Sequence, residues 1–121
     1  MYAVKRFVVL SHDWPIPHFD LLIEAEGVLR AWRLPSPPAP GQAIEAQANF
    51  HHRLDYLQFE GALTGDRGSV WAWDRGTYTG EMVGPAWSLQ LEGMRLRGTL
   101  RLTAASAPTW LVTFEPFGDV A

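Results

Sequence analysis

The sequence predicts a mainly β fold, a small closed barrel of about eight mostly antiparallel strands with one or two short helical turns. Three observations predict it. Eleven Gly and nine Pro are spread along the 121 residues, which leaves no window long enough for a stable internal helix. Short apolar runs recur between the turn signals, and the late ones alternate with period two, as half-buried strands do. The 47% hydrophobic and 12% aromatic content supplies the core of one domain, expected to span residues 1–121.

In chain order, Val4 to Leu10 is a β-branched apolar run that ends at the polar Ser11-His12-Asp13. Phe19 to Glu26, Gly27, and Val28 to Leu34 read as a hairpin. The segment Pro35 to Gly41 holds four prolines and cannot donate a ladder of hydrogen bonds, so it is a stiff surface loop, placed at the rim of a pocket. His52 to Gln58 is the one stretch suited to a helical turn. Gly65-Asp66-Arg67-Gly68 is a turn before the strand Val70 to Asp74. From Trp87 to Glu92, Trp87, Leu89 and Leu91 share one face while Ser88, Gln90 and Glu92 share the other. Gly93 turns the chain. Met94, Leu96, Leu100 and Leu102 then repeat the apolar face against Arg95, Arg97, Thr99 and Arg101, and Trp110, Val112 and Phe114 close the series.

The absence of cysteine excludes a disulfide scaffold, a thiolate metal site and a cysteine nucleophile. The N-terminal apolar run is too short for a secretory signal, and no stretch is long enough for a membrane-spanning helix, so a cytoplasmic location without membrane association is expected. A formal charge of −3 argues against a long duplex-binding surface, which would need many Lys and Arg against phosphates. No P-loop, dinucleotide fingerprint or nucleophile elbow is present.

The stretch from Ser11 to Asp20 is the most informative. On an extended strand His18 and Asp20 point the same way with Phe19 behind them, and the short, stiff Trp14-Pro15-Ile16-Pro17 connection returns the chain near His12. Two imidazoles and one carboxylate suit manganese, iron, zinc or another divalent ion, with positions left open for water and substrate. The alternative is that both histidines only hydrogen-bond in a loop and that Asp13 or Asp20 caps a turn. A second cluster, His51-His52-Arg53-Leu54-Asp55-Tyr56, offers donors to an anion; its alternative is a polar loop in which Asp55 pairs with Arg53. Arg95, Arg97 and Arg101 read as a solvated face paired with Glu92 and similar neighbours. Trp14 and Trp32 are candidates to line a mouth and stack a base or sugar, and the remaining Trp fill the core.

Arg6-Phe-Val-Val-Leu-Ser-His12-Asp13, His18-Phe-Asp20-Leu-Leu-Ile-Glu24, Gly27-Val-Leu-Arg-Ala-Trp32, Leu54-Asp55-Tyr56, Phe59-Glu60-Gly61 and Trp73-Asp74-Arg75-Gly76-Thr77-Tyr78 follow one another along the chain. In this order they resemble the 3′-phosphoesterase domain of bacterial DNA ligase D. The resemblance implies a small β-barrel, standing without its ligase, whose manganese-dependent pocket trims the 3′ ends of DNA or DNA/RNA primer strands. It implies removal of a terminal ribonucleoside and then of a 3′-phosphate. His12, His18 and Asp20 match the family's metal ligands, with manganese expected and zinc or another transition metal as alternatives. His52 and Tyr56 match residues that contact the scissile phosphate, and a separate ligase or polymerase is the implied partner.

The departures concern charge. Leu22 stands where the family has a phosphate-contacting arginine, Ile44 aligns with a second arginine, and Ser36 with a lysine; Phe50-His51 replace Glu-Asp. Losing one hydrogen bond to a charged group costs about 1.5 to 3 kcal/mol, on the order of tenfold to a hundredfold in rate or affinity. Arg33 and Arg53 are the candidate substitutes for phosphate binding. Two further readings stand beside the phosphoesterase: a catalytically weak DNA-end or metal-binding module of the same fold, and a non-haem iron site built on the His18-x-Asp20 pair with a distal histidine.

Overall fold

The computed structural model describes residues 4–118. The elements are β1 (Lys5–His12), β2 (His18–Ala25), β3 (Val28–Leu34), β4 (Ala43–His52), a 3-10 turn (Leu54–Leu57), β5 (Gly61–Ala62), β6 (Ser69–Thr79), β7 (Ala86–Gly93), β8 (Arg97–Ala104) and β9 (Thr109–Pro116). All the strand pairings are antiparallel, in the order β1-β2-β3-β4-β9-β8-β7-β6-β5, and β1 also pairs with β6. That last pairing closes eight strands into a barrel-like ring, with β5 attached to β6 outside it. The all-β expectation therefore holds, with one helical turn where His52 to Gln58 predicted it.

The ring is filled by Phe7, Val9, Leu21, Ile23, Trp32, Leu34, Leu89, Leu91, Leu100, Leu102 and Val112, with Trp87 and Phe114 against them. These are the inward residues of alternating strands, and the period-two reading of β7 and β9 identified their faces correctly. Two details differ. Met94 is 86% exposed because it sits in the β7–β8 turn, so the face resumes only at Leu96. Trp32 is 1% exposed and packs edge-on against Trp87 and Trp110, with centroids 5.5 and 5.8 Å away; it belongs to the core and lines no mouth. The strand β4 escaped the sequence reading because its inward positions include Ala46, whose side chain gives little hydrophobic signal.

β1 and β2 are buried on both faces, which explains the unbroken Phe7-Val8-Val9-Leu10 and Leu21-Leu22-Ile23 runs. Their outward residues Val8, Leu10 and Leu22 join Leu29, Ala31, Leu57 and Val70 in a second apolar cluster, with Leu54, Tyr56 and Leu63 packed on it. The 3-10 turn and the segment through β5 thus cover one side of the ring. Continuing along that covered face past Leu10 leads to His12, and continuing back from Leu22 leads to Asp20 and His18. The site grows from this outer cluster rather than from a barrel mouth.

Candidate metal centre

The β1–β2 ladder sets His12 directly opposite His18 and Leu10 opposite Asp20. Both histidines and the aspartate project to the same outer face, as the period of two requires. His12 Nδ1 lies 3.4 Å from Asp20 Oδ2 and His18 Nε2 lies 3.3 Å from Asp20 Oδ1. Side-chain exposures are only 12%, 6% and 8% for His12, His18 and Asp20. The three offer ligand atoms within 4.8 Å of one another and could hold a metal ion.

Each ring is oriented by a backbone carbonyl. His18 Nδ1 is 2.8 Å from Ile16 O and His12 Nε2 is 2.8 Å from Arg67 O. A carbonyl only accepts, so each of these nitrogens carries the proton and the other nitrogen presents a lone pair toward Asp20. His18 Nε2 is buried with no hydrogen-bond partner, a costly arrangement for a bare imidazole nitrogen. Metal–ligand bonds of about 2.1 Å at tetrahedral angles put ligand atoms about 3.4 Å apart, and each imidazole nitrogen stands at about that distance from one of the two Asp20 oxygens. The donor set and its spacing therefore fit one divalent cation. Asp13, the other aspartate of the stretch, is committed elsewhere: its Oδ1 accepts the Ser69 N–H at 2.7 Å.

His12 and Asp20 of the triad line a cavity of about 370 Å³ together with Arg33, His52, Arg53 and Tyr56, whereas His18 lines a neighbouring hollow with Ile16 and Arg33. The two sequence clusters thus meet in one place. Arg33 arrives on β3 opposite Asp20. His52 arrives through a bulge in β4: Ala31 pairs with Asn49 but Leu29 pairs with His52, so one extra residue re-aims the end of the strand. Its Nδ1 donates to Phe50 O at 2.8 Å, leaving Nε2 as the free ring nitrogen, and its ring meets Tyr56 edge-on at 5.5 Å. The bulge is what brings His52 to the outer face; a spacing argument could not locate it. Among the described residues Arg53 and Asp55 form no ion pair.

Besides the apolar Leu10, Leu63 and Val70, three cavity residues that could touch a ligand were not singled out as site residues in the sequence. Phe50, 87% exposed, and Asn49 come from the β4 strand that the pattern concealed. Arg67 comes from a turn recognised only as a turn. Trp14, 44% exposed, lines the cavity as expected. The substituted positions behave differently from one another. Leu22 is fully buried in the apolar cluster beneath the site, Ile44 points into the ring core, and Ser36 lines a separate surface hollow with Pro35 and Gln42. Ile44 therefore does not occupy a position that faces the metal centre. The expected basic stripe is a solvated face: Arg97 pairs with Glu92 at 2.9 Å, Arg101 with Glu115 at 3.4 Å, and Arg95 lies over Trp73.

Fold and site together define a closed antiparallel β domain with a His-His-Asp group that could hold a metal ion, beside a cavity lined by arginines. The model of the DNA Ligase D 3′-phosphoesterase domain matches residues 10–104, and the chain belongs to this family. It is 31% identical over 122 aligned positions to the multifunctional non-homologous end joining DNA repair protein LigD of Mycobacterium tuberculosis, covering 88% of this chain and 15% of that protein. It is 35% identical over 82 positions to the multifunctional non-homologous end joining protein LigD of Pseudomonas aeruginosa, covering 64% of this chain and 10% of that one. The chain thus spans a small fraction of the length of these curated relatives. Among the described residues no helix is long and apolar enough to cross a membrane.

Proposed function

We propose that the chain is a divalent-metal-dependent phosphoesterase that processes the 3′ ends of DNA or DNA/RNA primer strands during repair, removing a terminal ribonucleoside, a 3′-phosphate or both. The observation that carries this reading is the partnerless His18 Nε2, buried beside Asp20, which with His12 lines the cavity that holds His52, Tyr56 and the arginines. Family membership favours phosphate chemistry over an iron oxygenase. His12, His18 and Asp20 would hold the cation, with manganese as the proposed ion. A divalent cation at such a centre supplies Lewis-acid polarisation of a phosphate oxygen.

The protein's own groups do the rest. With its Nδ1–H held by Phe50 O, His52 donates to the phosphoryl group only when Nε2 is also protonated; in that form it hydrogen-bonds a phosphoryl oxygen through Nε2–H and passes that proton as charge develops, while the Tyr56 hydroxyl orients the group. Arg33 and Arg53 neutralise substrate charge from the β3–β4 side of the cavity. Trp14 and Phe50 offer exposed rings on which terminal bases stack. This local concentration of cations reconciles a chain of net charge −3 with an anionic strand end. We place the activity in the cytoplasm, with a separate ligase or polymerase acting on the trimmed end.

One observation favours a second reading, a DNA-end or metal-binding module with weak or absent turnover: the apolar Leu22 lies under the site where the resemblance expects a phosphate-binding arginine. A turnover assay with Mn²⁺ separates the two. Primers ending in 3′-phosphate, one ribonucleotide or 3′-hydroxyl are incubated with the protein with and without chelator. The phosphoesterase predicts chelator-sensitive release from the first two; tight 3′-phosphate binding without release supports the module.

A further inference from the structure

We infer that Arg67, in the turn between β5 and β6, is an anion-binding arm of the site that grips the terminal phosphoryl group at a 3′ end; this rests on the proposed function above. Its guanidinium is fixed by two neutral acceptors, Nε donating to Thr64 O at 2.8 Å and Nη2 to Thr64 Oγ1 at 3.2 Å. Elsewhere on the surface Arg6, Arg97 and Arg101 each pair with a glutamate, whereas among the described residues Arg67 pairs with no carboxylate. Among the described residues the one carboxylate lining the cavity, Asp20, faces the histidines. A guanidinium carries five N–H donors, so two bonds to Thr64 leave the others for a ligand, with much of the ordering cost of the side chain already met.

The placement is as specific as the charge. The main-chain carbonyl of Arg67 orients His12, so a single residue joins a metal ligand to an unpaired cation. The turn itself is locked to the β1–β2 connection: Asp13 Oδ1 accepts the Ser69 N–H, and Gly68 lies so close to Asp13 and Trp14 that a Cβ there has no room. Arg67 therefore keeps a fixed relation to the metal centre, on the wall supplied by the β5–β6 turn, whereas Arg33 and Arg53 come from the β3–β4 side. A monoester offers three unesterified oxygens. One serves the cation and two remain for a planar, bidentate donor, whereas an internal diester leaves only one. Arg67 biases the site toward a terminal phosphoryl group.

The test is fluorescence anisotropy of the Mn²⁺-loaded protein with a labelled primer ending in a non-hydrolysable 3′-methylenephosphonate and with the same primer ending in 3′-hydroxyl. The parent is expected to prefer the phosphonate. Arg67→Gln should reduce that preference by about 10- to 100-fold, Arg67→Lys by less, and calorimetric Mn²⁺ affinity should stay unchanged in both. Preference equal to the parent in Arg67→Gln overturns the role of Arg67 alone. A parallel fall in Mn²⁺ affinity also overturns it, because Arg67 would then act only by holding His12. No preference in the parent overturns the proposed function together with it.

Discussion

His12 on β1 and His18 on β2 are direct partners in the antiparallel ladder, and their rings meet edge to face with centroids 4.7 Å apart. The ladder thus delivers two imidazoles to one point, and Asp20, two residues along β2, closes the set. Backbone carbonyls turn both rings so that their lone pairs face the carboxylate. The electrostatic and orientational requirements of a cation site are therefore met by regular β structure.

Metal binding should be linked to folding stability. Mn²⁺ at about 100 times its Kd should raise stability by about 2.7 kcal/mol, and chelation should remove the gain. In His18→Ala the thermal midpoint should no longer respond to Mn²⁺. Differential scanning calorimetry with and without metal checks this, and an undiminished response in the variant would remove His18 from the ligand set.

Gly68→Ala should separate the turn from the metal centre. The backbone there has φ +78°, and a Cβ would collide with Asp13 and Trp14, so the turn carrying Arg67 O must shift away from His12. The expected result is about a 10- to 100-fold loss of Mn²⁺ affinity, the usual effect of removing a partner that orients a ligand. Isothermal titration of parent and variant reads it directly.

Asp74 should be a structural residue of the ring. It is 3% exposed, and its carboxylate accepts the backbone N–H groups of Arg75, Met94, Arg95 and Leu96 at 2.8 to 3.1 Å. Asp74→Ala strands these donors and should cost about 3–5 kcal/mol in denaturant unfolding. Mn²⁺ affinity of the folded fraction should be unaffected, because Asp74 holds the β7–β8 turn and not the metal centre.

The hydrogen bonds from Arg6 to Glu24 hold the Glu24 carboxyl below its usual range, and burial only partly opposes them. A carboxyl whose pKa is lower folded than unfolded stabilises the fold above the ordinary carboxylate range, and this contribution fades as pH falls through the folded value. Parent and Glu24→Gln should therefore differ in stability near neutrality and converge in acid. Urea midpoints measured at neutral pH and at descending pH values test it; a gap that widens in acid would contradict the assignment.

Much of this was legible in the sequence for physical reasons. Trp87, Leu89 and Leu91 reveal their face because large apolar and polar side chains alternate, and His18-x-Asp20 reveals the centre because strand geometry puts both on one side. Other features depend on tertiary structure. The role of Ala46 in the core is hidden by its small side chain, the site position of His52 depends on a bulge, and the burial of Trp32 depends on closure of the ring. Arg67 could not be placed because its relation to His12 spans 55 residues and passes through a main-chain carbonyl.

The central claim is that His12, His18 and Asp20 hold the cation on which 3′-end hydrolysis depends. The most direct measurement is Mn²⁺-dependent release of inorganic phosphate from a 3′-phosphorylated primer by the parent and by Asp20→Ala, with folding of the variant verified by circular dichroism. The parent should release phosphate in a reaction that chelator abolishes, and the folded variant should release none above background. Equal release by both proteins would contradict it.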